Sequence, residues 1–207
     1  MHAGLKVLAL GLCVALPSAA LAQDTGQGAA ATPPAADGNA TDTSGLSMGQ
    51  GDAAPKAGDP YVREVFGDWQ LRCVKAANGK EPCQVFQLLH DQNGNNVAEF
   101  SLFDLPAGQT AVAGATVVTP LETLLTAELH LSVDNGQVKR YPYSFCTKIG
   151  CFARIGLTAE ELDGFKKGVA ANVVIVAAGA PDKTVDLSAS LKGFTAAWTA
   201  LVAANAQ

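Results

Sequence analysis

Four cysteines stand as two close pairs, Cys73 with Cys83 and Cys146 with Cys151, while a fifth, Cys13, lies in an apolar run near the N-terminus. The compartment decides what such pairs become. MHAGLK is a short n-region carrying Lys6, VLALGLCVAL over 7–16 is an apolar core, and Ala20-Leu21-Ala22 is an A-x-A cleavage site. Residues 1–22 therefore read as a signal peptide cleaved near Ala22. Their apolar run is too short to cross a bilayer, which takes about 20 residues, so no transmembrane segment is expected in the mature chain. A lipoprotein signal built on Cys13 is the competing reading, but Leu12 stands where such a signal wants a small residue. The expected location is periplasmic or secreted, where thiols oxidise, and four cysteines then read as two disulfides.

Local geometry favours pairing neighbours. If Ala77-Asn78-Gly79 is a hairpin loop with Gly79 in the left-handed position, Cys73 and Cys83 fall directly opposite each other. Opposed residues hold their Cβ atoms about 4.5–5.5 Å apart, close to the roughly 3.8 Å of a disulfide. Pro82, lacking an N–H, restricts this pairing to an edge strand or a bulge. Cys146 and Cys151 enclose Thr147, Lys148, Ile149 and Gly150, enough chain to turn back on itself. Loops this short are worth about 2–3 kcal/mol each on the chain-entropy model. Zinc wants four convergent ligands at closer spacing than Cys73 and Cys83 offer. A redox pair wants C-x-x-C at a helix N-terminus, whereas Cys146 and Cys151 are C-x4-C. A redox-responsive Cys146–Cys151 pair stays as the alternative to a structural staple.

Residues 23–60 are low-complexity, rich in Ala, Gly, Pro and Asp, and all thirteen aromatic residues of the chain lie beyond Pro60. Such a segment cannot bury enough surface to offset its ordering entropy and reads as a disordered linker. As a flexible coil it would reach about 34 Å end to end. Residues 61–207 form one domain, large enough for a real core. With 12 Lys and Arg against 14 Asp and Glu in that domain, nothing suggests nucleic acid or an anionic membrane.

Most of the domain alternates with period two. A strand is expected over 65–73, where Trp69, Leu71 and Cys73 oppose Asp68, Gln70 and Arg72. Further strands are expected over 82–89, 97–105, 115–119, 128–134, 137–143, 172–178 and 184–190, with turns at 92–96 and at Asn135-Gly136. Thr158-Ala159-Glu160-Glu161 is a capping box, with Leu157 and Leu162 as its hydrophobic staple and Gly168 as the stop. A second helix near 193–204 places Phe194, Ala197, Trp198 and Leu201 on one face. The expected class is mainly β: an antiparallel, sandwich-like domain with two short helices.

No catalytic constellation emerges. His90 and His130 sit among strand residues without a positioned serine, and Glu160, Glu161 and Asp163 suit a helix start. There is no P-loop, no dinucleotide fingerprint, no H-E-x-x-H and no G-x-S-x-G. Neither an enzyme, a cofactor nor a metal site is expected.

FGDWQLRC (66–73), EPCQV (81–85), LHLSVDNG (129–136), YPYSFCTKIGCFA (141–153), KKG (166–168) and SLKGFTAAWTAL (190–201), taken in order, resemble the invasion-associated locus B family. Family members often carry glycines around the central turn, where this chain has Glu122 and Glu128. The resemblance implies a small exported protein, in some intracellular pathogens associated with host-cell invasion, and it brings no catalytic residues. The expected function is a non-catalytic envelope or secreted module that binds another macromolecule, an envelope or extracellular protein. The pre-organised loop Thr147-Lys148-Ile149-Gly150 is its candidate contact. The alternatives are the redox reading and a binder of a small ligand between sheet and helices.

Overall fold

The computed structural model describes residues 54–206; the signal peptide expected over 1–22 and most of the linker expected over 23–60 lie outside the described residues. The fold is mainly β and antiparallel, with two short helices and both disulfides formed, Cys73–Cys83 and Cys146–Cys151. The strands are β1 (Pro60–Phe66), β2 (Trp69–Val74), β3 (Cys83–His90), β4 (Asn96–Asp104), β5 (Ala113–Thr119) and β6 (Leu129–Val133). They continue with β7 (Lys139–Tyr141), β8 (Tyr143–Thr147), β9 (Gly150–Leu157), β10 (Ala170–Val176) and β11 (Thr184–Ser190). Helix α1 (Ala159–Lys167) follows β9, and α2 (Phe194–Asn205) follows β11.

One sheet runs β7-β6-β10-β11-β3-β4-β5-β9-β8, with β2 attached to β3 and β1 to β2. Its two ends, β7 and β8, are separated in sequence by Pro142 alone. The chain therefore passes directly from one end of the sheet to the other, and the sandwich-like layering takes the form of a sheet curled almost into a barrel. Residues 137–143 are not the single strand their alternation suggests. Pro142 has no N–H to give a ladder, and there the chain exchanges β6 for β9 as its partner.

Strand β3 shares one edge between two neighbours. Its first half pairs with β2, from Cys73↔Cys83 to Gln70↔Phe86, and its end meets β11 only at Ser188↔His90. Pro82 therefore precedes a strand paired on both sides, not an edge strand: its ring lies one residue outside the ladder, and its carbonyl accepts from Val74 N–H at 3.0 Å. The run 65–73 is likewise two strands. Gly67 and Asp68 make a tight turn, and Phe66↔Trp69 closes the β1–β2 hairpin.

The inner face of the sheet carries Leu71, Val85, Leu102, Val117, Ile155 and Leu187, all buried. Both helices pack on it. Phe194 sits at the centre, its ring 5.1 Å from Trp69, 5.6 Å from Phe165 and 6.1 Å from Trp198, while Phe100 lies 6.0 Å from both Trp69 and Phe165. The helix start is as the sequence implies: Thr158 Oγ1 accepts from Glu161 N–H at 3.3 Å and Glu161 accepts from Thr158 N–H at 2.9 Å. Leu157 and Leu162 are buried beside it, and Gly168 ends the helix.

Helix α2 has no side-chain cap and starts from Gly193 at φ 87°. The β1–β2 turn leans on that start, with Asp68 N–H donating to the Lys192 carbonyl at 3.2 Å. A Cβ on Gly193 would fall on the Phe66 carbonyl. Gln87, buried on β3, donates to the Asp68 and Ser190 carbonyls at 3.0 Å, and Trp69 Nε1 donates to Ser190 at 2.8 Å. A buried side chain with this many partners locks the turn, β11 and β3 together.

Candidate functional site: the stapled hairpin

Strands β8 and β9 form a hairpin whose loop is shorter than the cysteine spacing suggests. Thr147 pairs with Gly150, so only Lys148 and Ile149 lie in the turn, and Cys146 stands opposite Cys151 as the next pair down. Gly150 is at φ 151°, and a Cβ there would strike the Thr119 carbonyl. That close approach lets β9 lie flat along β5, from Thr119↔Cys151 to Ala113↔Leu157. The structure thus brings Thr147, Lys148, Ile149 and Gly150 together at a tip held by the Cys146–Cys151 bridge.

The tip is wet and partly apolar. Ile149 is 71% exposed and Phe145 48% exposed. The Phe145 ring stacks on Phe152 at 4.8 Å, the two being cross-strand neighbours on the outer face. Val118 lies opposite Phe152 on β5, and Ile149 borders the shallow hollow that Val118 shares with Leu88 and Val97. Sequence reasoning did not find β9 or the Phe145–Phe152 pair. The signal was there: Cys151, Ala153, Ile155 and Leu157 alternate with Phe152 and Arg154.

The two bridges differ in setting. Cys73 and Cys83 belong to the core cluster, whereas Cys151 is buried and Cys146 exposed. A helix N-terminus beside the sulfurs is one feature that stabilises a redox-active thiolate. Helix α1 instead begins after the far end of β9, about 23 Å along the strand from Cys151. Replacing Cys73 and Cys83 by alanine is expected to cost about 3 kcal/mol, and the same change at Cys146 and Cys151 about 2 kcal/mol. Urea denaturation of the two double variants checks the order; equal losses would mean that loop length does not set the contribution of these bridges.

Between α1 and the β6–β7 hairpin runs an open groove of about 640 Å³ bordered by Tyr141, Gly164 and the Lys139–Glu161 ion pair, 2.5 Å. Burial opposes the charge on Glu161, but the Lys139 ammonium and the Thr158 N–H outweigh it and hold its carboxyl below the usual range. The apolar side chains under this groove, Leu131, Leu157 and Phe165, are each at most 4% exposed, while Val133 and Tyr141 line it partly buried. His90 lies exposed at the end of β3, and His130 lies on β6 opposite Arg140. Among the described residues no group of three or more His, Cys, Asp or Glu converges as a metal site, and no helix is long and apolar enough to cross a membrane.

The sequence profile described as invasion associated locus B (IalB) protein matches residues 69–202. The chain belongs to the IalB family. The match opens on the first residue of β2 and ends inside α2, so β1 lies outside the IalB region. Among solved structures, the crystal structure of invasion associated protein b from Bartonella henselae is similar, with a TM-score of 0.56 and 21% sequence identity. The alignment covers 70% of this chain and 98% of that one. At this identity the likeness bears on the IalB fold alone. No curated protein matches the chain.

Proposed function

We propose that this IalB-family chain is an exported, non-catalytic binding module of the cell envelope that meets a protein partner through the stapled β8–β9 tip. Residues 1–22 act as a cleaved signal peptide, 23–60 as a spacer and 61–207 as the binding domain. The observation carrying this reading is Ile149, a large apolar side chain 71% exposed beside Lys148 in a two-residue turn held by a disulfide. A rigid turn loses little conformational entropy on docking, so its exposed atoms contribute most of their contact energy to affinity. Two bridged cysteine pairs and the A-x-A site support export.

The test is capture and cross-linking of the oxidised mature protein in its own envelope, beside a Lys148→Ala/Ile149→Ala variant. One reproducible partner, lost in the variant while its thermal melt is unchanged, is the expected result. A partner retained in full by the variant removes the tip from the interface.

A further inference from the structure

The chain carries a net charge of −5, yet residues 139–157 hold Lys139, Arg140, Lys148 and Arg154 and no acidic residue. Lys139 turns inward to Glu161. The other three are exposed and make no ion pair among the described residues. Arg140 stands next to Tyr141, which pairs with the buried Leu129, and Arg154 lies between the buried Ala153 and Ile155; alternation therefore puts both guanidinium groups on the outer face. That is the face of the Phe145–Phe152 stack. Acids stand at its margins: Glu99, two strands from Phe152 in the same cross-strand row, Glu128, just before β6, and Asp186, three strands from Arg140 in its row.

The same strand presents unpaired backbone. β8 pairs with β9 alone, and Ser144, left out of the register by a bulge, has no ladder partner. In an antiparallel pair alternate residues turn their N–H and C=O away from the partner, so Cys146, flanked by Phe145 and Thr147, offers its groups to solvent. Among the other strands with a single neighbour, β7 is only three residues long, and β1 is defended in the usual way by Pro60, Arg63, Glu64 and its own bulge. From Tyr141 to Thr147, β8 and its approach carry no charge at all. A second copy paired antiparallel about Ser144 would set Arg140 against Lys148, so self-pairing is opposed by like charge.

We propose that the β8 edge binds an extended acidic polypeptide by strand addition, the backbone completing the open ladder, apolar side chains resting on Phe145 and Ile149, and acidic residues at its two ends meeting Arg140 and Lys148. The proposal rests on the reading of the hairpin as the contact site and specifies the partner's chemistry. Arg140 and Lys148 are at most about 26 Å apart along an extended chain, which sets the spacing of the acidic ends at about seven to eight residues. Main-chain bonds supply affinity in this mode and the flanking side chains select the sequence. Cations alone would suit an anionic lipid surface equally; an open ladder between them suits a polypeptide.

The test uses the oxidised full mature chain and three synthetic peptides of about nine residues. One alternates valine and threonine between terminal aspartates, one carries lysine in place of the aspartates, and one is the aspartate peptide N-methylated at alternate residues. Isotope-labelled protein reports chemical-shift changes, and titration reports Kd. The aspartate peptide is expected to bind with shifts confined to 140–154, at least about tenfold tighter than either control, and to weaken as salt rises from about 50 to 200 mM. Equal binding of all three peptides, or none by the aspartate peptide, overturns the proposal. So does sedimentation with phosphatidylglycerol vesicles in the absence of peptide binding, which would make the face a lipid contact. If the peptides fail while envelope capture still depends on Lys148 and Ile149, strand addition falls and the contact-site reading stands.

Discussion

Phe194→Ala is expected to lower the stability of the oxidised protein by about 4 kcal/mol, the range found for buried phenylalanines. Its side chain is fully buried and its ring meets Trp69, Phe165 and Trp198. Those three come from β2, α1 and α2, so no single element can move in to fill the cavity. Domains are stable by only about 5–15 kcal/mol, and the variant should unfold at a much lower urea concentration with an unchanged slope. Val169→Ala, at a side chain 79% exposed, should change stability by less than about 0.5 kcal/mol. A loss below about 1 kcal/mol for Phe194→Ala would mean that the aromatic cluster is loosely packed.

Gly193→Ala should cost nearly as much for a different reason. At φ 87° an alanine pays about 1–2 kcal/mol for the left-handed backbone, and its Cβ is driven onto the Phe66 carbonyl. Relief requires the β1–β2 turn to lift away from α2, breaking the Asp68–Lys192 hydrogen bond. We expect about 3 kcal/mol or more in total. Gly79→Ala is the control: φ is 82° there, with nothing within 4 Å of the added carbon, so only the backbone cost of about 1 kcal/mol applies. Equal shifts in the two denaturation midpoints would show that the turn yields freely.

These two sites mark what was legible in the chain. Phe194, Ala197, Trp198 and Leu201 announce their helix face, and the Thr158 capping box announces α1, because both signals are local. The Cys73–Cys83 register follows from one loop with Gly79 in it. The split of 65–73 at Gly67 is hidden because Val65, Trp69, Leu71 and Cys73 keep an apolar period of two in the sequence, although Val65 faces outward and Phe66 shares the inner face with Trp69. Pro82 points to an edge strand or a bulge on sequence alone because a sequence does not show that its ring falls one residue before the ladder. In the hairpin, the staple and its tip were foreseeable from spacing. The gathering of Arg140 and Arg154 on one face was not, since it depends on which side of the sheet is buried.

Closure of the sheet has a consequence for how the domain assembles. At Pro142 the ring is fastened covalently, while β3 and β11 join at a single bridge, Ser188↔His90, between residues most of the domain apart in sequence. Strands β1 to β5 and β6 with β7 each pair through short turns, as do β8 with β9 and β10 with β11. Loop-closure entropy is small for those hairpins and largest for the β3–β11 seam. The hairpins therefore form first, and the seam closes last, as Gln87 finds the Ser190 carbonyl and α2 docks behind it. Until that moment the aromatic centre stays open to water, and the two short disulfides, once formed, hold the β2–β3 and β8–β9 pairs in register.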